Sequence, residues 1–236
     1  AGNMLLEAAA HAGYYAMMTR SSGPQIRGGE AAALIRIATR PVECMEDRFH
    51  VLAAVDWENV QRFDAEIPLG PSSLVLGDPD QGEPPAAFLK CAPQRAAVLL
   101  KKIARSVPEG RPNMVLLGAL AALVGLPEDS VAHAVEKSLG KRPASLAPSL
   151  AAVAAGRTAA AAIEQHYGLA PPPARAGVRW LVTGNEAAGY GAIKGGVRFV
   201  AAYPITPATE LLEWMAPALA QVGGTLVQAE DELASI

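Results

Sequence analysis

Three consecutive prolines, Pro171, Pro172 and Pro173, constrain this chain more than any other feature. Each fixes its φ angle and brings no backbone N–H, so neither a helix interior nor a central strand can run through them. The surrounding stretch, Leu169-Ala170-Pro171-Pro172-Pro173-Ala174-Arg175-Ala176-Gly177, reads as a stiff extended spacer. The chain must therefore build one structure before the spacer and another after it. The boundaries that follow are a domain over residues 1–168, a linker over 169–177 and a second piece over 178–236.

Before the spacer, residues 3–12 read as an Ala/Leu helix stopped by Gly13, and residues 14–18 as a short strand. The loop Ser21-Ser22-Gly23-Pro24-Gln25-Ile26-Arg27-Gly28-Gly29 follows, rich in turn formers, and residues 31–38 resume a strand-like run. Short apolar runs at 48–55 and 73–76 are expected as buried strands, with Asp56 and Asp78 just past their ends in capping positions. Apolar residues recur at helical spacing over 94–107 and 113–124. Pro127-Glu128-Asp129 opens a helix towards Leu139, and residues 151–166 make a last alanine-rich helix.

After the spacer the pattern changes. A strand over 180–182, a Gly184-Asn185 turn, a helix over 186–194, a strand over 198–203, a helix over 207–221 and a strand over 225–228 succeed one another. This alternation is the signature of a parallel sheet with crossover helices. With 51% apolar residues, alanine the commonest among them, and 5% aromatic, the whole reads as α/β.

Charge and cysteine usage exclude several classes. A net charge of −3 leaves no basic face for nucleic acid. Cys44 and Cys91 are the only cysteines, too few and too far apart for a metal site or a disulfide framework, and read as reduced cytosolic thiols. No run approaches the roughly 18 apolar residues of a membrane span, and no secretory signal opens the chain. A cytoplasmic protein with no membrane partner is expected. The start at Ala1 rather than Met, and the stop at Ile236 just as a new element begins, read as a piece of a longer polypeptide.

The sharpest candidate site is Tyr203-Pro204-Ile205-Thr206-Pro207. A strand ends there, a proline blocks further pairing, and a second proline is placed at the first helical position behind a threonine cap. Backbone N–H groups and a hydroxyl would converge at a helix N-terminus at the carboxyl end of a parallel strand. Such a place suits a carboxylate or phosphate; a plain helix start would use the same residues. Gln228-Ala229-Glu230-Asp231-Glu232 ends the next strand with three carboxylates. They serve either as caps of the following element or, for one of them, as a proton-exchanging group in an apolar cleft. Ser22, Gly23, Arg27, Gly28 and Gly29 form a third candidate, where glycines permit close backbone approach and an arginine could clamp a phosphate, or simply a tight turn.

These segments together resemble the alpha subunit of 2-oxoacid:ferredoxin oxidoreductases, particularly the 2-oxoglutarate type with a gamma domain fused in front of the alpha domain. Residues 21–30 and Pro112-Asn113-Met114, leading into Leu117-Gly118-Ala119-Leu120, are similar to the gamma domain. Thr183-Gly184-Asn185-Glu186-Ala187, Tyr203 to Pro207 and Gln228 to Glu232 are similar to the alpha domain. The resemblance implies a gamma-type α/β domain followed by the beginning of a thiamine-pyrophosphate-binding, pyrimidine-type parallel α/β domain. It implies that Thr206 contacts the 2-oxoacid carboxylate and that Glu232, or else Glu230, bonds N1′ of the cofactor aminopyrimidine, with Tyr203, Pro204, Ile205 and Pro207 around them. Ser22, Gly23, Arg27, Gly28 and Gly29 become candidates for coenzyme A or a subunit interface.

The implied chemistry is oxidative decarboxylation of a 2-oxoacid, with electrons passed to ferredoxin and the acyl group to coenzyme A as co-substrate. Thiamine pyrophosphate with Mg would be shared with a beta subunit, which also carries the [4Fe-4S] cluster; no metal ligands are assigned to this chain. The glycine-rich stretch that usually precedes the first helix of the gamma domain is missing, as is most of the alpha domain, so the piece alone is expected to be inactive. A stand-alone coenzyme A-binding or subunit-assembly module without catalysis is the alternative.

Overall fold

The computed structural model describes residues 1–23, 31–165, 167–174 and 177–236. It divides into two compact units, Ala1–Ala176 and Gly177–Ile236.

In the first unit, α1 (Gly2–His11) leads into an antiparallel hairpin of β1 (Tyr15–Ser22) and β2 (Ala31–Ala38), in register from Tyr15 opposite Ala38 to Ser22 opposite Ala31. A separate parallel sheet runs in the order β3 (Val51–Ala53), β4 (Leu74–Gly77), β5 (Gln94–Ala97), with α2 (Ala86–Leu89) between the last two. α3 (Leu100–Ser106), α4 (Pro112–Leu123), α5 (Glu128–Leu139) and α6 (Pro143–Ala160) complete the unit.

β4 lies between two neighbours and is buried along its whole length, as an apolar run in a parallel sheet should be. Successive side chains alternate across the sheet. Leu74 and Leu76 enter a large core with α1 and α3 to α6, while Val75 joins Leu52, Trp57, Phe63, Ile67 and Phe88 on the other face. Gly77 sits under the Trp57 ring, where a Cβ would lie 2.6 Å from an indole carbon. Just beyond, buried Asp78 accepts from Asp80 N at 3.0 Å and from Lys101 N at 2.9 Å, so its carboxylate caps the short turn at Pro79–Gln81 and the start of α3.

α4 is apolar on every side, and such a helix belongs in an interior; Met114 to Ala119 are all buried. It crosses α6 at close range through two glycines: a Cβ on Gly118 would lie 1.9 Å from the Val153 carbonyl oxygen, and one on Gly156 the same distance from that of Val115. The chain after α6 is tied back onto the unit by Leu169 N to Val124 O (3.1 Å), Tyr167 Oη to Ser72 O (2.8 Å) and Tyr14 Oη to Ala170 O (3.0 Å). The first two residues of the expected linker are thus docked.

The second unit consists of α7 (Gly184–Lys194), β6 (Phe199–Ala202), α8 (Thr209–Gln221) and β7 (Thr225–Gln228). β6 and β7 are parallel, from Phe199 opposite Thr225 to Ala202 opposite Gln228. Its buried apolar residues are Leu212, Met215 and Leu219 of α8, and Gly189 of α7 lies against Trp214 and Met215.

Four expectations are corrected. Residues 94–97 are strand β5, not helix, because Gln94 N and Val98 N bond to the carbonyls of Ser73 and Gly77 beside β4; sheet pairing overrides local helical spacing. The strand expected over 48–55 shortens to Val51–Ala53. The last helix of the first unit spans Pro143–Ala160, not 151–166: Pro143 occupies the first turn, where a missing N–H costs nothing, and Pro148 is accommodated within the helix. Residues 180–182 form no strand; Trp180 instead packs edge-on against Tyr190 at 5.1 Å. Among the described residues no helix is long and apolar enough to cross a membrane.

Candidate functional site

β6 and β7 are parallel, so their carboxyl ends share one edge, and the sequence after each delivers its candidate residues to that edge. α7 runs into β6 from its C-terminal end, which leaves its N-terminus at the same edge, beside that of α8. The start of α7 is set by a capping box: Glu186 N donates to Thr183 Oγ1 at 3.2 Å, and Thr183 N donates to Glu186 Oε2 at 2.6 Å.

Asn185 joins the two helix starts. Its Nδ2 donates to the Pro207 carbonyl at 3.2 Å and lies 3.4 Å from Glu210 Oε2 in the first turn of α8. Both partners are acceptors, so the amide nitrogen must be the atom that faces them.

Thr206 is not the cap of α8, and Pro207 is not its first residue. The Ile205 carbonyl accepts from Ala208 N at 2.7 Å and from Thr209 N at 3.2 Å, which closes a turn over 206–208 before the helix starts at Thr209 with Ala208 as N-cap. The Thr206-Pro207 peptide is cis. Thr206 is exposed in front of the helix, and its hydroxyl does not cap it. Around it, Tyr203, Ile205 and Pro207 are exposed and Pro204 is half-buried.

Of the three carboxylates after β7, Asp231 does the capping: its Oδ1 accepts from Ala234 N at 2.7 Å at the short turn Leu233–Ser235. Glu230 and Glu232 are exposed, and their side chains make no hydrogen bond or ion pair to another described residue. The edge thus presents a hydroxyl, two helix N-termini and two unengaged carboxylates, a set able to meet a carboxylate on one side and a proton-bearing ring nitrogen on the other.

In the first unit, Ser22 is the last residue of β1 and exposed, and Gly23 next to it is buried. Arg27, Gly28 and Gly29 lie outside the described residues. Among the described residues no cluster of His, Cys, Asp and Glu is suited to hold a metal ion. Gly184 and Asn185, expected as a turn before the helix, are instead the first two residues of α7; the signal in the sequence is the Thr183-x-x-Glu186 box, which predicts a helix N-terminus at that point.

Residues 1–159 match the family model described as pyruvate ferredoxin/flavodoxin oxidoreductase. The chain belongs to this oxidoreductase family. Residues 190–236, which include Thr206 and both unengaged glutamates, match a second model, pyruvate flavodoxin/ferredoxin oxidoreductase, thiamine diphosphate-binding. A relative in this oxidoreductase family, the 2-oxoglutarate synthase subunit KorA of Methanocaldococcus jannaschii, is 58% identical over 56 residues, 24% of this chain and 15% of the relative.

Among solved structures, 2-oxoglutarate:ferredoxin oxidoreductase from Magnetococcus marinus, with 2-oxoglutarate, coenzyme A and succinyl-CoA bound, has a TM-score of 0.85 and 31% identity. The match covers 99% of this chain and 41% of that one. The gamma subunit of a keto/oxoacid ferredoxin oxidoreductase from Geobacter sulfurreducens has a TM-score of 0.50 and 26% identity, over 68% of this chain and 89% of that one. The chain therefore spans less than half the length of the Magnetococcus protein and a smaller share of the KorA relative. These neighbours, with the parallel sheets and their flanking helices, make the fold α/β, with a gamma-like part and a thiamine-diphosphate-domain part.

Proposed function

We propose that this chain is part of an alpha-type subunit of a 2-oxoacid:ferredoxin oxidoreductase, acting in coenzyme A-dependent oxidative decarboxylation of 2-oxoglutarate with electrons delivered to ferredoxin. The observation that carries the reading is the exposed Thr206 hydroxyl beside the N-terminus of α8, inside the segment that matches the thiamine-diphosphate-binding model. The KorA likeness supports 2-oxoglutarate as the substrate.

Thr206 donates its hydroxyl to the substrate carboxylate, and the partial positive end of α8 stabilises the same charge. Tyr203, Pro204, Ile205 and Pro207 shape the walls beside it. Glu232, with Glu230 as the alternative, would hold the aminopyrimidine N1′ by a hydrogen bond from its carboxyl group. Thiamine pyrophosphate, when bound, supplies the electron sink for decarboxylation.

The donor set fits one end of that cofactor. Unengaged carboxylates suit the aminopyrimidine, whereas the described residues offer no cluster for the Mg ion at the diphosphate end. The Mg–diphosphate contacts and the [4Fe-4S] cluster are proposed to belong to a beta subunit, the principal partner alongside ferredoxin. Ser22, Gly23, Arg27, Gly28 and Gly29 are proposed to contact coenzyme A or a neighbouring subunit.

The test is reduction of a viologen dye by the full-length polypeptide co-expressed with its beta partner, with 2-oxoglutarate or pyruvate and coenzyme A. Thr206→Val is expected to raise KM for the 2-oxoacid about 10- to 150-fold, the value of one hydrogen bond to a charged group. Glu232→Gln is expected to lower kcat at least about 100-fold. Full activity in a Thr206→Val, Glu232→Ala double variant would sink both assignments.

A further inference from the structure

We propose that Asn185 is a positioning residue for the substrate carboxylate, acting through the turn that presents Thr206. The inference rests on the function proposed above for Thr206 and adds a residue to that site. The geometry points to it because one side chain spans two independent anchors. The first turn of α7 is held in shape by the reciprocal Thr183–Glu186 bonds, and the helix is seated by Gly189 against Trp214 and Met215 of α8. Asn185 stands inside that first turn, half-buried, and its amide reaches across to the Pro207 carbonyl at 3.2 Å and towards Glu210 Oε2 at 3.4 Å.

The Pro207 carbonyl is the acceptor nearest in sequence to the Thr206 side chain on its helix-ward side. The turn over 206–208 is closed from within by the Ile205 carbonyl, which also ties it to Thr209 at the start of α8. Asn185 adds a lateral restraint from α7 through the Pro207 carbonyl. A hydroxyl that must meet a carboxylate at about 2.7 Å gains from such a restraint, because a displacement on the order of 1 Å is enough to lose the bond.

Glu210 makes the arrangement selective for an amide. A carboxylate at position 185 would face a carbonyl and a second carboxylate with no proton to offer, so replacing the donor by an isosteric acceptor turns attraction into repulsion. Changing Glu210 to Gln restores a donor on the opposite side of the same contact.

The experiment uses the full-length polypeptide in complex with its beta partner and measures KM and kcat for 2-oxoglutarate in the viologen assay. The variants are Asn185→Asp, Asn185→Asp with Glu210→Gln, Thr206→Val, and Asn185→Asp with Thr206→Val. Asn185→Asp is expected to raise KM about tenfold with kcat within about twofold, Glu210→Gln to recover only the part of that rise that comes from carboxylate repulsion, since the Pro207 carbonyl still lacks its donor, and the effect to shrink to less than about twofold when Thr206 is already Val. Thermal unfolding of each complex reports separately on folding. A large KM effect of Thr206→Val with none from Asn185→Asp would overturn the positioning role while leaving the function of Thr206 intact. No KM effect from Thr206→Val would remove the underlying reading. Full additivity of the two KM effects would show that Asn185 does not act through Thr206.

Discussion

Tyr14 and Tyr167 each donate a phenolic hydroxyl to a backbone carbonyl, and burial raises the pKa of both above the usual tyrosine value. A folded pKa above the unfolded one means that their contribution to stability is fully present below about pH 10 and is lost as pH rises through the folded value. Denaturation midpoints recorded from pH 8 to 12 should therefore fall at the alkaline end. The Tyr14→Phe, Tyr167→Phe double variant should show a flatter alkaline limb; an unchanged slope would remove these phenols from the account. At this scale the sequence was partly legible. Thr206 and the glutamates could be picked out because a proline-flanked hydroxyl and an acidic run are visible in one dimension. That Asp231 rather than Glu230 or Glu232 is spent on capping, and that Asn185 faces Pro207, depends on which N–H or C=O a turn aims at which side chain, and no spacing rule encodes that.

Among the elements, the crossing of α4 and α6 is the least tolerant contact. Each helix lays a glycine against the other's carbonyl at a distance that leaves no room for a methyl group. Gly118→Ala and Gly156→Ala should each cost about 1–3 kcal/mol or more, because backbone rather than a flexible side chain must move. Thermal unfolding would check this, and a loss below about 0.5 kcal/mol at both sites would contradict the packing described. Element type was largely readable: α1, α4, α5, α7 and β2 lie close to where periodicity and turn residues place them, while β1 runs on to Ser22, past the expected end at Met18, because it pairs with β2 over its whole length. β5 was not, because Gln94–Ala97 is strand only by virtue of pairing with β4, a long-range effect. The 180–182 segment failed for the converse reason: apolar residues alone make no strand without a ladder partner.

For the whole molecule, the three tryptophans offer a test of the two-unit division, since Trp57 lies in the first unit and Trp180 and Trp214 in the second. Fluorescence unfolding of a Trp180→Phe, Trp214→Phe variant should follow the first unit, and that of a Trp57→Phe, Trp180→Phe variant the second. The smaller unit, with few buried side chains and with Phe199 and Trp180 each 65% exposed, should unfold first; coincident curves would mean that the units melt as one. The spacer is visible in the sequence because three prolines in a row interrupt any helix interior or central strand, whereas the existence of two cores in the first unit is not, since β4 is apolar on both faces. That double-sidedness has a consequence for how the unit finds its own alignment. A strand that is greasy everywhere carries no polar mark to say which residue belongs opposite which neighbour. Gly77 beneath the Trp57 ring supplies a steric mark instead: shifting β4 forward by two residues would keep every face correct yet drive Val75 into the indole. The glycine is the notch and the tryptophan the pawl, and together they allow the strand to seat in a single position.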